Sequence, residues 1–248
     1  MSSRRTFTKK IIAASAAFSL QSFAGTSAAE KNGSKMKVVC VGGHPDDPET
    51  GCGGTLAKLA SLGHDVTIIY LTSGEAGIKG KSHEEAAAIR RNEAIAASKI
   101  LNAKPIFAGQ VDGEGMVSNE WVNKIQSLIN AENPGLVFTH WPIDSHKDHQ
   151  CASLLTIQTW VRSGKKFPLY FFEVCTGSQT TSFRPTDYVD ITATQEQKRK
   201  AIYCHASQDP PGIYASKGCN HAMMEKFRGI EMGVPAAEAF VRAGNEFH

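Results

Sequence analysis

The sequence predicts a single-domain α/β fold, Rossmann-like in architecture, with a doubly wound, mainly parallel sheet covered by helices. Three observations predict it. Five short apolar, β-branched runs recur along residues 37–174, segments with helical spacing separate consecutive runs, and no internal repeat breaks the alternation. Parallel strands need crossovers of this length, which a tight hairpin turn does not provide.

Each element has its own warrant. Lys37–Val41 is the first strand. Gly54–Leu62 reads as a helix, with Leu56, Leu59 and Ala60 on one face and Gly63 as its stop. Val66–Leu71 is a second buried strand. Ser82, three residues before Glu85, makes a capping-box pattern that opens a long Ala-rich helix to about Leu101. Pro105–Ala108 is a short third strand. Trp121, Val122, Ile125, Leu128 and Ile129 keep helical spacing until Asn133-Pro134-Gly135 ends the helix. Leu136–Thr139 is the fourth strand, followed by a polar loop and a helix through about Val161. Leu169–Val174 is the fifth. A helix from Thr194 to about Ala206 takes Thr194 and Gln197 as its capping pair. Residues 207–248, punctuated by Gly and Pro, show no clear period.

Residues 1–29 read as an export signal. Ser3-Arg4-Arg5-Thr6-Phe7-Thr8-Lys9 is a basic head, Ile11 to about Gly25 an apolar middle, and Ser27-Ala28-Ala29 a small-residue end. The paired arginines resemble a twin-arginine signal. Ser15, Ser19, Gln21 and Ser22 interrupt the apolar middle, which falls short of the roughly 20 residues a spanning helix needs. Cleavage after Ala29 then leaves an exported, periplasmic or extracytoplasmic protein without a stable membrane span, with 30–36 as linker and 37–248 as the domain. The whole chain carries a net charge of +3. Its first 29 residues hold Arg4, Arg5, Lys9 and Lys10 and no acid, which leaves 23 basic against 24 acidic residues. That balance gives no electrostatic ground for a nucleic-acid partner. The six cysteines are scattered without a C-x-x-C pair, which argues against a structural Cys-rich zinc site. Export permits disulfides but does not specify pairs. Cys40 and Cys175, in apolar runs, read as small core residues.

The chemistry concentrates after two strands. The first is followed by His44, Asp46 and Asp47, the fourth by His140, Asp144, His146, Asp148 and His149. In an open α/β sheet ligands bind beyond the carboxyl ends of the strands, so neighbouring strands would bring these loops to one crevice. A catalytic zinc takes three protein ligands and keeps one position open. His44 and Asp47, three apart on a turn, and His149 from the other loop would supply them. Asp46 then stays free to take a proton from water that the cation acidifies. His146, three residues before His149, would stabilise an oxyanion as an imidazolium. A His₂Asp set suits several divalent metals, Fe²⁺ as well as Zn²⁺. Read singly, Asp46-Asp47 is equally a turn and helix N-cap, and either histidine equally a satisfied surface or core residue. Gly51, Gly53 and Gly54 do not make G-x-G-x-x-G, so a dinucleotide site is not expected. Trp141 reads as a core residue that could also stack on a sugar ring, and His140 as a support for the metal ligands.

His44-Pro45-Asp46-Asp47 with Glu49 and Gly51-Cys52-Gly53-Gly54-Thr55 resembles the opening motif of the PIG-L/LmbE-like zinc N-deacetylases. His146-Lys147-Asp148-His149 resembles their H-x-D-H motif, Arg90 and Glu93 their R-x-x-E segment, and His205-Ala206-Ser207-Gln208 a late H-x-S-Q segment. Two positions depart from the common pattern. Pro48 stands where many members have Glu, and Asn102 replaces a Gly after the Ala-rich helix, a place where Asn also adopts the left-handed cap. The resemblance implies zinc on His44, Asp47 and His149, Asp46 as general base and then acid, and His146 polarising the carbonyl. It implies hydrolysis of an acetamide on an amino sugar, commonly N-acetylglucosamine in a glycoconjugate. Arg90, Asp112 and His205 are candidate substrate-binding residues, each with a plainer reading as salt-bridge partner, turn residue or helix-end cap. The pocket walls are expected from 73–82, 110–118 and the region after 207. A zinc hydrolase of another amide or ester and a non-catalytic zinc or carbohydrate-binding protein fit the same residues. The partner expected is a small-molecule or glycan substrate; oligomeric state is left open.

Overall fold

The computed structural model describes residues 35–215 and 219–244, so the export signal and most of the linker lie outside the described residues. β1 (Lys37–Gly42) leads into α1 (Asp47–Ser61), β2 (Asp65–Thr72) into α2 (His83–Ile100), β3 (Ala103–Gln110) into α3 (Asn119–Glu132), and β4 (Leu136–His140) into α4 (Lys147–Arg162). β5 (Leu169–Phe172), β6 (Asp187–Asp190), α5 (Gln195–Ile202), α6 (Pro210–Ala215), α7 (His221–Met232) and β7 (Ala237–Arg242) follow. They form one seven-stranded sheet in the order β3-β2-β1-β4-β5-β7-β6. The first five of these strands are mutually parallel, and β7 runs antiparallel to both β5 and β6. The strand order reverses between β1 and β4, which pair directly, Val38 opposite Leu136 and Val41 opposite Thr139. This is the topological switch point at which α/β folds bind ligands.

Alternation along β1 divides the core. Val38 and Cys40 point to a cluster with Leu56, Ala94, Phe138, Phe172 and Phe240. Val39 and Val41 point to the opposite cluster with Ile125, Ile129, Ala152 and Leu155 of α3 and α4. Every strand and helix expected over 37–174 is present, with ends extended or trimmed by a few residues. Ser82 caps α2 as the sequence predicts, accepting from the Glu85 N–H while Glu85 accepts from the Ser82 N–H. Asn102 takes φ 54°, the left-handed conformation expected of it, and Asn133, which ends α3, takes φ 47°.

Four expectations are corrected. α1 starts at Asp47 rather than Gly54, because Gly51, Gly53 and Gly54 are helical and serve close packing: a Cβ on Gly51 would lie 2.3 Å from Phe172. Thr194 and Gln197 do not form a capping pair. Tertiary bonds take both side chains, Thr194 Oγ1 donating to Gly54 O at 2.8 Å and Gln197 Nε2 to Ile100 O at 2.6 Å. α5 stops at Ile202, and Ala206–Gln208 forms a separate 3-10 turn. Cys175 is not a core residue but is disulfide-bonded to Cys219. The unpatterned region after 207 supplies α6, α7 and β7. Among the described residues no helix is long and apolar enough to cross a membrane.

Candidate metal centre and active site

The β1–α1 and β4–α4 junctions meet over the switch point. Asp47, the first residue of α1, is the hub. Its Oδ2 accepts from the His44 N–H at 2.7 Å and lies 3.1 Å from His44 Nδ1, and its Oδ1 lies 3.2 Å from His149 Nε2. His44, Asp47 and His149 are all buried. The second nitrogen of each imidazole is also held. His44 Nε2 lies 3.0 Å from Asp148 Oδ2 and 3.1 Å from Asp112 Oδ1, and His149 Nδ1 lies 3.1 Å from Asp144 Oδ1. His140 stacks on His149 with centroids 4.2 Å apart, and its Nε2 accepts the Gly43 N–H at 3.1 Å. That bond requires a neutral ring, consistent with burial pushing His140 down to about 4.

Five aspartates (46, 47, 112, 144 and 148) face four imidazoles, with one guanidinium close by. Two imidazoles and a carboxylate converge in a buried pocket, and further carboxylates fix the outward ring nitrogens. This is the donor chemistry and support of a divalent-cation centre. The residues therefore fit a divalent cation: ligand atoms of His44, His146 and His149, and those of Asp47, His140 and His149, lie within 4.8 Å of one another.

Asp46 stands beside this group as the N-cap of α1, at φ 106°. Its backbone N–H donates to Glu49 Oε2 at 3.2 Å, and its Oδ2 accepts from Arg90 Nη2 at 3.0 Å. Arg90 is buried and also donates to the carbonyls of Pro45 and Gly74. Burial raises the Asp46 carboxyl to about 6, against the lowering effect of Arg90. His146 caps α4, and its Nδ1 accepts the Asp148 N–H at 3.3 Å, which leaves the proton on Nε2. Burial, helped by His44 and His149, lowers its pKa.

These groups line a cavity of about 540 Å³. Its wall includes Ala76 and Gly77, Asp112 and Gly113, and Gln208, Ile213, Cys219 and His221, from the three segments expected, together with Gln179. Arg90 and Asp112 reach the wall. Arg90 is turned toward Asp46 and not Glu93, whose carboxylate instead holds Ser207. His205 does not line the cavity. It is fully buried behind Asp46, with Nε2 3.3 Å from Glu49 Oε1, where Tyr70 Oη also donates at 2.6 Å. Trp141 packs in the core against Phe171 and Phe183, away from the cavity. Sequence reasoning gave no role to Asp144, Asp148, Glu49, Tyr70 or His221. The acids' spacing within the motifs marked them as chemical residues, but their partners follow from loop paths.

The model of the PIG-L family, described as GlcNAc-PI de-N-acetylase, matches residues 26–160. Diacetylchitobiose deacetylase of Thermococcus kodakarensis is 32% identical over 192 residues, 72% of each chain. 4-Oxalmesaconate hydratase of Pseudomonas putida is 26% identical over 231 residues, 86% of this chain and 88% of its own. The structure of N,N'-diacetylchitobiose deacetylase from Pyrococcus horikoshii superposes with a TM-score of 0.74 at 28% identity, covering 84% of each chain. The family match spans more than half of the sequence and contains both halves of the site just described, so this chain belongs to the PIG-L family.

Proposed function

We propose that this chain is an exported, metal-dependent N-deacetylase that removes the acetyl group from an amino sugar or an N-acetylglucosamine-containing glycoconjugate. One observation carries the reading. Asp46, an acid left over from the His44–Asp47–His149 cluster, faces the same cavity on a backbone fixed by Arg90 and Glu49. A site that only stored a cation would have no use for a second, separately held carboxylate.

Zinc, or another divalent cation, would sit on His44, Asp47 and His149 and supply the positive charge that acidifies water and polarises a carbonyl. The chain's own residues do the rest. Asp46 takes the proton of the attacking water and returns it to the departing amine. His146 donates a hydrogen bond from Nε2–H to the carbonyl oxygen as negative charge develops there. Asp144 and Asp148 keep the two imidazoles in one tautomer and one plane. Arg90 keeps Asp46 ionised and aimed. The deacetylase activity named for the Thermococcus relative supports the substrate class, and the Cys175–Cys219 disulfide supports export, since such bonds persist in oxidising compartments.

The test is amine release from N-acetylglucosamine and its oligomers by purified protein, with and without chelator and with zinc or iron restored. Asp46→Ala should keep its metal and lose at least about a hundredfold in kcat. Turnover by Asp46→Ala at the wild-type rate would remove the base assignment. Metal-dependent hydration of an unsaturated dicarboxylate with no amine release would move the chain to the chemistry named for the Pseudomonas relative.

A further inference from the structure

The cavity wall carries a second group of metal-type ligands. Cys175 follows β5 and Cys219 precedes α7, and a disulfide joins them across 44 residues of sequence. His221, the first residue of α7, is 1% exposed, and its Nε2 lies 3.7 Å from Cys175 Sγ. One ligand atom from each of the three residues lies within 4.8 Å of the others. All three residues line the cavity, so a small reductant or ion reaches them from solvent.

Tetrahedral zinc holds sulfur at about 2.3 Å and imidazole nitrogen at about 2.0–2.1 Å, which sets neighbouring ligand atoms roughly 3.5–3.8 Å apart. The Cys175–His221 pair already has that spacing. Cleavage of the disulfide would let the Cys219 sulfur move back to it. The four free cysteines, Cys40, Cys52, Cys151 and Cys204, belong to no such ligand group among the described residues.

We propose that Cys175, Cys219 and His221 form a second, redox-gated site that binds a thiophilic divalent cation when their disulfide is reduced. The step balances with a phosphine as reductant. Phosphine, water and the disulfide give phosphine oxide and two thiols, and the entering cation releases the two thiol protons to solvent. The oxidised state is a closed cross-link and the reduced state a Cys₂His ligand set, with the remaining position filled from the cavity. This site contains sulfur and the His44–Asp47–His149 centre does not, so its occupancy is read independently of the reading proposed above.

The test uses the full chain, stripped of metal with a chelator and titrated with cobalt(II) before and after phosphine treatment. The reduced protein should bind one more cobalt per chain than the oxidised protein and develop thiolate-to-cobalt charge-transfer absorption. The double variant Cys175→Ser, Cys219→Ser should lose that absorption and the extra equivalent while keeping the first. His221→Ala should weaken the reduced site at least about tenfold. Persistence of the absorption in the double variant would place the ion on other cysteines and overturn the proposal. So would a disulfide that resists the reductant in the folded protein, a reduced wild type without the band, or unfolding on reduction that cobalt does not reverse.

Discussion

Asp46 holds its carboxylate on a backbone at φ 106°, a conformation that costs a non-glycine residue about 1–3 kcal/mol. The strain is held by two neighbours of opposite charge, Glu49 at the backbone N–H and Arg90 at Oδ2. Burial raises the Asp46 pKa to about 6 and Arg90 pulls against it. A general base works only when ionised, so activity should fall as pH drops through its pKa. Arg90→Gln removes the lowering charge; the acid limb of kcat/KM should move to higher pH, and a pH–rate profile measures it. An unmoved limb would mean that Arg90 acts on substrate instead. A second expectation concerns Asp144, which fixes His149 Nδ1 at 3.1 Å. Asp144→Ala should weaken metal binding about 10–100-fold in a chelator competition while leaving the three donors intact. At this scale the sequence showed the residues whose chemistry is visible in their type and spacing: His44, Asp46, Asp47, His146 and His149. It did not show what holds them. Asp148 reaches both His44 and the N–H groups of Gly113 and Gly115, contacts made by chain segments far apart in sequence.

At the scale of elements, α1 decides how closely the two junctions approach. Its glycines let the helix lie against β5 and the segment after β6. A Cβ on Gly51 would come 2.3 Å from the buried Phe172 ring, and one on Gly54 2.8 Å from Ile191. Gly51→Ala should therefore destabilise the fold by about 1–3 kcal/mol through overpacking, well beyond any gain in helix propensity, and denaturant unfolding measures it. Unchanged stability would show that β5 yields freely. The same helix explains which elements were legible. The five parallel strands are apolar runs separated by segments of helical period, so the alternating pattern located them. α1 was read short because helical glycines resemble a loop. β6 and β7 are antiparallel strands outside the β-α alternation, and their pairing depends on the rest of the sheet. Thr194 and Gln197 have a capping sequence, but tertiary contacts offered their side chains better partners.

At the scale of the whole molecule, the segment after β5 closes the cavity and is tied down twice. Lys198 is buried between Glu225 and Glu238, at 3.0 and 2.7 Å, so it ties α5 to α7 and β7. The disulfide then joins the exit of β5 to the front of α7, around a loop of 44 residues. In the chain-entropy account a cross-link of that span stabilises the folded state by about 4 kcal/mol, because the unfolded chain loses the freedom to separate its ends. For a domain of this size that is a midpoint shift of roughly 10 °C. Phosphine treatment of metal-free protein should lower the thermal midpoint by that order. The variant Cys175→Ser, Cys219→Ser should start near the lower value and not respond to phosphine. A smaller shift would mean that the Lys198 ion pairs and the α7 packing hold the wall without covalent help, and a shift of equal size in the double variant would assign the effect to something other than this bond. Stability and cavity shape are linked here, because the residues that close the loop are also residues of the cavity wall. Loosening the cross-link should therefore raise KM for an acetylated sugar before it lowers kcat: Cys175, Cys219 and His221 bound the loop that the bond closes, whereas Asp46, Asp47 and His149 are anchored on α1 and α4, outside that loop.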